Sequence, residues 1–327
     1  MAAWFLQKSV VLRTDSSRTI AFFAGLVFLL AGVGGPGNPA GAHSSLDPSG
    51  ALSAAPYEAP SGNRLRGEYW LRAGGCVSCH TQPGGAFLAG GRVIDSPFGR
   101  FLGPNITPDP VYGIGQWEFD DFERAMRFGE RPDGQHYYPA FPYISYTQMH
   151  LEDLRDLWEY LRSVEPVAQE VPGHDLVWFV RWRPLLQAWK FLHFRPAAFT
   201  PQADATAEWN RGAYLVRALG HCAECHSPRT RTGAVLPNLR YAGGRLGSGE
   251  YAPNITPDRT SGIGGWRPAQ ILRYLDMGMT PTGDFAGGAM AEVIDHGTGH
   301  LTVEDRRAVV TYLLALPPIQ HPADRVR

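Results

Sequence analysis

The residues of this chain with the most chemistry in them are its four cysteines, and they fall into two identical groups. Cys76-Val77-Ser78-Cys79-His80 and Cys222-Ala223-Glu224-Cys225-His226 consume every thiol in the sequence. In the pattern C-x-x-C-H the two thiols add to the vinyl groups of a haem, and the following histidine reaches the iron as its proximal ligand. The sequence therefore predicts two covalently attached haem c groups. Cys76, Cys79, Cys222 and Cys225 are the attachment points, and His80 and His226 are the proximal iron ligands. Other thiol chemistries fit less well. A structural zinc site draws on cysteine pairs roughly 15–20 residues apart, whereas Cys76 and Cys222 are 146 apart. A thioredoxin-like pair needs a βαβ setting that neither group has, and two internal disulfides would ignore both histidines.

A low-spin electron-transfer haem takes a second strong ligand, commonly methionine. In the second group Met290 lies 64 residues after His226, in Gly287-Gly288-Ala289-Met290, which reads as a Gly-rich loop before a closing helix. Met277 and Met279 compete with it, and His296 and His300 come behind them. The first group breaks the symmetry, because the position matching Met290 is Phe141, in Tyr138-Pro139-Ala140-Phe141-Pro142-Tyr143. Phenylalanine cannot ligate iron. Met149 is the first choice for the first iron, followed by Met126 and His136. Met149 also reads as ordinary core at the place of Leu301, and an open first iron is the remaining arrangement. The Pro104 and Pro253 carbonyls are candidate acceptors for the second ring nitrogen of each proximal histidine. Trp117 and Trp266 either wall the haems or pack in the core.

The elements around these groups occur twice. Arg66-Gly67-Glu68-Tyr69 precedes the first thiol pair and Arg211-Gly212-Ala213-Tyr214 the second. Pro104-Asn105-Ile106-Thr107-Pro108-Asp109 returns as Pro253-Asn254-Ile255-Thr256-Pro257-Asp258, and Gly113-Ile114-Gly115 with Trp117 returns as Gly262-Ile263-Gly264 with Trp266. From Asn105 to Gly134 the offset holds at 149. Each copy predicts a helix before the thiols (64–74 and 207–219) and one after the tryptophan (119–128 and 267–277). A third closes each copy, from Leu151 to Leu161 and from Val303 to Leu316. Leu154, Leu157, Trp158 and Leu161 form an apolar face at helical spacing. Acidic starts and the terminal Pro166 and Pro317 suit helix ends. Strand signals are scarce, so the expected fold is all-α: two tandem haem domains, loop-rich, each wrapped around its haem.

Glycine and proline, 38 and 27 of 327 residues, exceed the usual share of about 12%, and read as haem-wrapping loops. A formal net charge of −1 gives no electrostatic case for nucleic acid. Residues 1–42 read as a signal peptide or uncleaved anchor. Lys8, Arg13 and Arg18 precede an apolar run from Ile20 to Val33, and Ala40-Gly41-Ala42 follows as a cleavage pattern. Either form exports the remainder, placing it in the periplasm, soluble or attached to the periplasmic face of the inner membrane. Residues 43–62 are a linker, 63–168 the first haem domain, 169–204 an aromatic linker and 205–320 the second domain. Pro184 interrupts the apolar stretch Leu176 to Phe194 as a helix, and its charges make it no clean membrane span. It is expected to pack between the domains, with docking onto a partner or a membrane surface as the alternative.

These motifs together resemble the multihaem cytochrome c subunits of bacterial periplasmic alcohol, gluconate and related dehydrogenases. Members share R-G-x-Y before C-x-x-C-H, then P-N-I-T-P-D, G-I-G-x-W and P-A-M-P-Y, and the likeness covers about 63–318. The resemblance implies class I cytochrome folds, Met290 as an axial ligand, and electrons passed from a dehydrogenase partner to quinone or a terminal oxidase. Here P-A-M-P-Y reads Pro139-Ala140-Phe141-Pro142-Tyr143, and two haem motifs stand where such subunits usually carry three. Electron transfer without turnover alone is the expected function. The alternative is a peroxidase-like dihaem enzyme with an open first haem, for which no acid–base pair is legible. A thiosulfate dehydrogenase with a cysteine axial ligand is excluded in that form, because no fifth cysteine exists.

Overall fold

A computed structural model describes residues 63–321; the expected leader (1–42) and the linker 43–62 lie outside the described residues. The first half runs α1 (Asn63–Ala73), α2 (Cys76–His80), hairpin strands β1 (Val93–Ser96) and β2 (Gly99–Leu102), α3 (Phe119–Phe128), α4 (Tyr143–Tyr146) and α5 (Leu151–Ser163). The connecting segment contributes β3 (Asp175–Leu176), which extends the hairpin antiparallel to β2, and α6 (Arg183–His193). The second half runs α7 (Ala207–Tyr214), the short pair β4 (Gly244–Arg245) and β5 (Tyr251–Ala252), α8 (Pro268–Met277), α9 (Gly288–His296) and α10 (Val303–Leu314). The chain is mostly helical, as its periodicity predicts.

Each half rests on two helices that meet at the glycine of the R-G-x-Y motif. A Cβ on Gly67 would lie 2.0 Å from the Asp156 carbonyl oxygen of α5, and one on Gly212 would lie 1.9 Å from the Ala308 oxygen of α10. Any side chain there would drive the helix pair apart. The helices start and stop where local chemistry dictates. Thr206 and Thr302 hydroxyls accept the Trp209 and Asp305 amides at 3.1 and 3.2 Å, capping α7 and α10. Gly129 and Gly278 end α3 and α8 in the left-handed conformation, with φ of 60° and 77°.

The repeat is imperfect by one residue ahead of the second thiol pair. Seven positions separate Tyr69 from Cys76, and eight separate Tyr214 from Cys222. The extra residue is absorbed as a π-helical turn at Leu215–Leu219, the usual way an insertion is accommodated in a helix that must keep its packed face.

One sequence expectation is corrected here. Met290 does not sit in a loop. It lies in the first turn of α9, whose Ala289 amide is accepted by the Glu250 carboxylate at 3.2 Å; the capping group comes from 39 residues away, so no local signal announced this helix. Pro184 does interrupt the apolar stretch Leu176 to Phe194 as a helix: α6 begins only at Arg183, with Pro184 in its first turn, where the missing N–H costs nothing. The connecting segment packs mainly on the first half. Leu186 is buried against Phe101 and Tyr138. Lys190 Nζ donates to the Phe128 carbonyl at 2.6 Å and the Gly129 carbonyl at 3.3 Å, neutralising the C-terminal end of α3. The Trp189 indole reaches the second half at the Thr232 carbonyl, 2.8 Å away. Trp178, Trp182, Phe191 and Leu192 stay exposed, Trp178 at 83%.

The halves share one apolar core, in which Tyr69, Trp70, Leu154 and Leu157 pack with Tyr214, Val216, Leu219 and Val309. A reciprocal exchange fastens them. Tyr69 donates to Asp305 at 2.5 Å and accepts the Thr302 amide, while Tyr214 donates to Asp153 and accepts the His150 amide at 3.1 Å. Asp305, 2% exposed, also takes a two-pronged bond from Arg211 at 2.7 and 2.7 Å. Arg66 pairs instead with Asp156, one turn further along α5, at 2.7 Å. The Arg211 guanidinium also lies over the Trp70 ring, 5.1 Å from its centre.

Candidate functional site

A helical turn explains the geometry of C-x-x-C-H, since residues three apart stand on one face. Gly75, at φ 66°, opens the turn Cys76–His80, and its inner residue Val77 is 4% exposed. In the second half Cys222–Glu224 forms a 3₁₀ turn with Ala223 buried inside. Each x-x pair thus anchors its turn by one small apolar side chain and leaves both sulfurs facing one way.

None of the four cysteines is paired in a disulfide. Burial pushes Cys76 and Cys222 up to about 12 and Cys79 up to about 11, each raised further by a neighbouring thiol. Cys225 is raised by burial too. The two pairs are close enough that Cys225 bears on Cys79.

The proximal histidines match in detail. His80 Nδ1 lies 2.7 Å from the Pro104 carbonyl and His226 Nδ1 lies 2.7 Å from the Pro253 carbonyl, the two acceptors expected from the sequence. A carbonyl only accepts, so Nδ1 carries the proton and Nε2 offers its lone pair to a metal. Burial lowers the pKa of both rings, against the opposing pull of that carbonyl bond, which keeps them neutral and ready to ligate. The residues present therefore fit haem c at both positions.

The P-N-I-T-P-D loop has a role that its sequence does not announce. Asn105 Oδ1 accepts the Thr107 amide and hydroxyl at 2.9 and 2.7 Å, and its Nδ2 donates to the Val167 carbonyl at 2.8 Å. Asn254 repeats this with Thr256 and with the Ile319 carbonyl at 2.7 Å. Asp109 and Asp258 cap the following turns, and the Ser261 and Thr260 donors hold the Asp258 carboxyl down at about 2. These bonds pin the two carbonyls that orient the histidines. A Cβ on Gly103 would sit 1.8 Å from the Cys79 oxygen, so the loop can only press against the thiol turn through glycine.

The other candidates separate. Met290 is partly exposed at the start of α9, Met277 is 51% exposed, and Met279 Sδ takes a weak bond from Arg273 at 3.8 Å. His300 Nε2 is engaged by the Asp295 carbonyl at 2.8 Å. Met149 is 1% exposed in the core ahead of α5, and Leu301, the residue it matches, is buried ahead of α10. Met126 is buried in α3, and His136 Nδ1 is 2.9 Å from Lys190 Nζ. Phe141 packs against Tyr146, ring centres 5.7 Å apart, and Tyr146 lies close enough to Cys76 and Cys79 to bear on their charge. The first thiol pair thus has aromatic neighbours where a second Met290 would have stood. Trp117 and Trp266 both pack against the shared core, Trp266 edge-on to Tyr274 at 5.5 Å.

No protein-family profile matches the chain. It is similar to a dihaem c-type cytochrome of Cereibacter sphaeroides, 40% identical over 266 residues, which cover 80% of this chain and 88% of that protein. It is also similar to the fructose dehydrogenase cytochrome subunit of Gluconobacter japonicus (40% over 257 residues, 77% of this chain) and to the gluconate 2-dehydrogenase cytochrome c subunit of Pantoea cypripedii (37% over 261 residues, 77%). The chain spans only 52% and 59% of the length of those two subunits.

Proposed function

The chain belongs to the dihaem c-type cytochromes, carrying two covalently bound haem c groups, and we propose that it relays electrons from a periplasmic dehydrogenase to a downstream acceptor, quinone or oxidase. Each haem iron supplies a one-electron couple. Cys76 and Cys79 hold the first group and Cys222 and Cys225 the second, while His80 and His226 present Nε2 to the irons. The observation that carries this reading is the repeated 2.7 Å bond from Nδ1 to a proline carbonyl, which fixes tautomer and ring plane identically at both sites. Met290 is the second ligand proposed for the second iron. For the first iron Met149 is the candidate, and an iron open to added ligands is the other arrangement, motivated by Phe141.

The dehydrogenase partner is supported by the relatives that serve as cytochrome subunits of such complexes. The surface supporting association is the connecting segment. Between Leu176 and Ala203 it holds Arg181, Arg183 and Arg195 beside the buried Lys190, and no acidic residue, with Trp178, Trp182 and Phe191 exposed among them. Exposed tryptophan beside arginine suits the periplasmic membrane face as well as a partner subunit. Among the described residues no helix is long and apolar enough to cross a membrane.

A spectrum of the reduced protein with and without carbon monoxide tests the proposal. Two haems per chain, a methionine–iron charge-transfer band read in the oxidised protein and diminished in Met290→Ala, and no peroxidase turnover are expected. Carbon monoxide binding abolished by changing His80 but not His226 would show an open first iron and revive a catalytic reading.

A further inference from the structure

His221 stands immediately before Cys222 with φ 36° and ψ 38°. This is the left-handed region, where a residue with a Cβ is strained. The equivalent place before Cys76 is Gly75, which takes φ 66° freely. The second repeat therefore accepts a backbone cost that the first avoids, so the side chain must do something a glycine cannot.

What it does is cross to the other half. The His221 ring lies against the loop ahead of Cys76, its Nε2 3.4 Å from where a Cβ on Gly75 would be. Tyr146, 4% exposed, donates its hydroxyl to the Gly74 carbonyl at 2.6 Å, and its ring meets that of His221 edge to face, 5.6 Å apart at 81°. Tyr146 thus holds the backbone two residues before Cys76 and packs on the ring that arrives from the other half. The π turn at Leu215–Leu219 supplies the extra residue just ahead of His221. A continuous route runs from Cys222 through His221 to Gly75 and Cys76, with a single non-covalent step.

We infer that His221 is the residue that couples the two haem sites, locking the thiol turn of one repeat onto that of the other and so fixing the spacing and mutual orientation of the haems. Because tunnelling weakens steeply with separation, this lock sets the rate of internal electron exchange. The inference rests on the dihaem reading, which haem content measured in the same samples checks separately.

The test is His221→Gly in the full holoprotein, which restores the residue type of the first repeat and relieves the backbone. Two haems per chain and a melting temperature equal to or above the parent's are expected. The exciton splitting of the Soret circular dichroism, which reads haem–haem geometry, should shrink, and haem-to-haem equilibration after photoreduction of one haem should slow several-fold. Tyr146→Phe, which keeps the ring against His221 and removes only the bond to the Gly74 carbonyl, should give the smaller change. Unaltered splitting and rate in His221→Gly overturn the inference. Should His221→Gly fail to load haem, His221→Asn, which tolerates the left-handed backbone, is measured the same way. Failure of both to load would make His221 a folding residue and also overturn it.

Discussion

Asp153 and Asp305 hold the same post in the two halves, each accepting a tyrosine from the other half, yet their surroundings make them unequal. Asp305 is 2% exposed and carries the two 2.7 Å bonds of Arg211, a guanidinium whose side chain is only 20% exposed. Asp305→Asn keeps shape and the Tyr69 bond but strands that cation without its carboxylate. Breaking a buried pair from one side costs about 3–5 kcal/mol, and the partial exposure of Arg211 places this case near the lower figure. Asp153 lacks such a partner, because Arg66 turns to Asp156 instead. Burial is the largest influence on Asp153 and raises its pKa, against the Tyr214 bond. The folded state therefore favours its protonated form. That contribution is full below the unfolded value near 3.8 and is lost as pH rises through the higher folded value. At neutral pH Asp153→Asn removes a charge the fold disfavours, so its effect should be within about 1 kcal/mol of neutral, or stabilising. Urea titration of the holoprotein, followed by Soret absorbance, measures both. With a slope of about 1–3 kcal/mol per molar, Asp305→Asn should lower the midpoint by about 1 M or more, and Asp153→Asn should barely move it. Equal losses, or a larger loss for Asp153→Asn, would refute the argument.

Gly67→Ala and Gly212→Ala each force a methyl into backbone about 2 Å away and should cost at least the ~1–3 kcal/mol of an overpacked core, read as a lowered melting temperature. Phe141→Met restores the missing P-A-M-P-Y residue beside the first thiol pair; if the first iron binds carbon monoxide, this change should suppress the binding and add a second methionine–iron band. Trp178→Ser combined with Trp182→Ser removes two exposed indoles and should reduce sedimentation with anionic phosphatidylglycerol vesicles while leaving haem content unchanged.

How much was legible in the sequence depended on how local the cause was. The helices at α1, α3, α5, α7, α8 and α10 were readable because they recur at the same places in the two copies, with apolar spacing in α5 and acidic starts in α5 and α10. So were the histidine acceptors, since the P-N-I-T-P-D repeat put a proline carbonyl at the same place twice. Helix α9 was not readable, because Glu250 caps it from 39 residues upstream. The break before α6 was readable, because Pro184 stops a helix from behind and permits one ahead. The meaning of Asn105, Thr107 and Asp109 was equally hidden: polar residues in a loop look solvated until their partners are seen.

The sequence by itself determined the chemistry of this protein, because covalent attachment of haem depends on thiols three apart and an adjacent histidine, a relation confined to five residues. It also determined the duplication, which is a property of residue order. Only the tertiary structure decided how the copies meet. The Tyr69–Asp305 and Tyr214–Asp153 exchange, the arginine that hydrogen-bonds Asp305 but not Asp153, and the reach of His221 to Gly75 join residues 61 to 236 positions apart. Such contacts are chosen by burial and by the need to satisfy every polar group inside a shared core, and those demands exist only once the chain has folded.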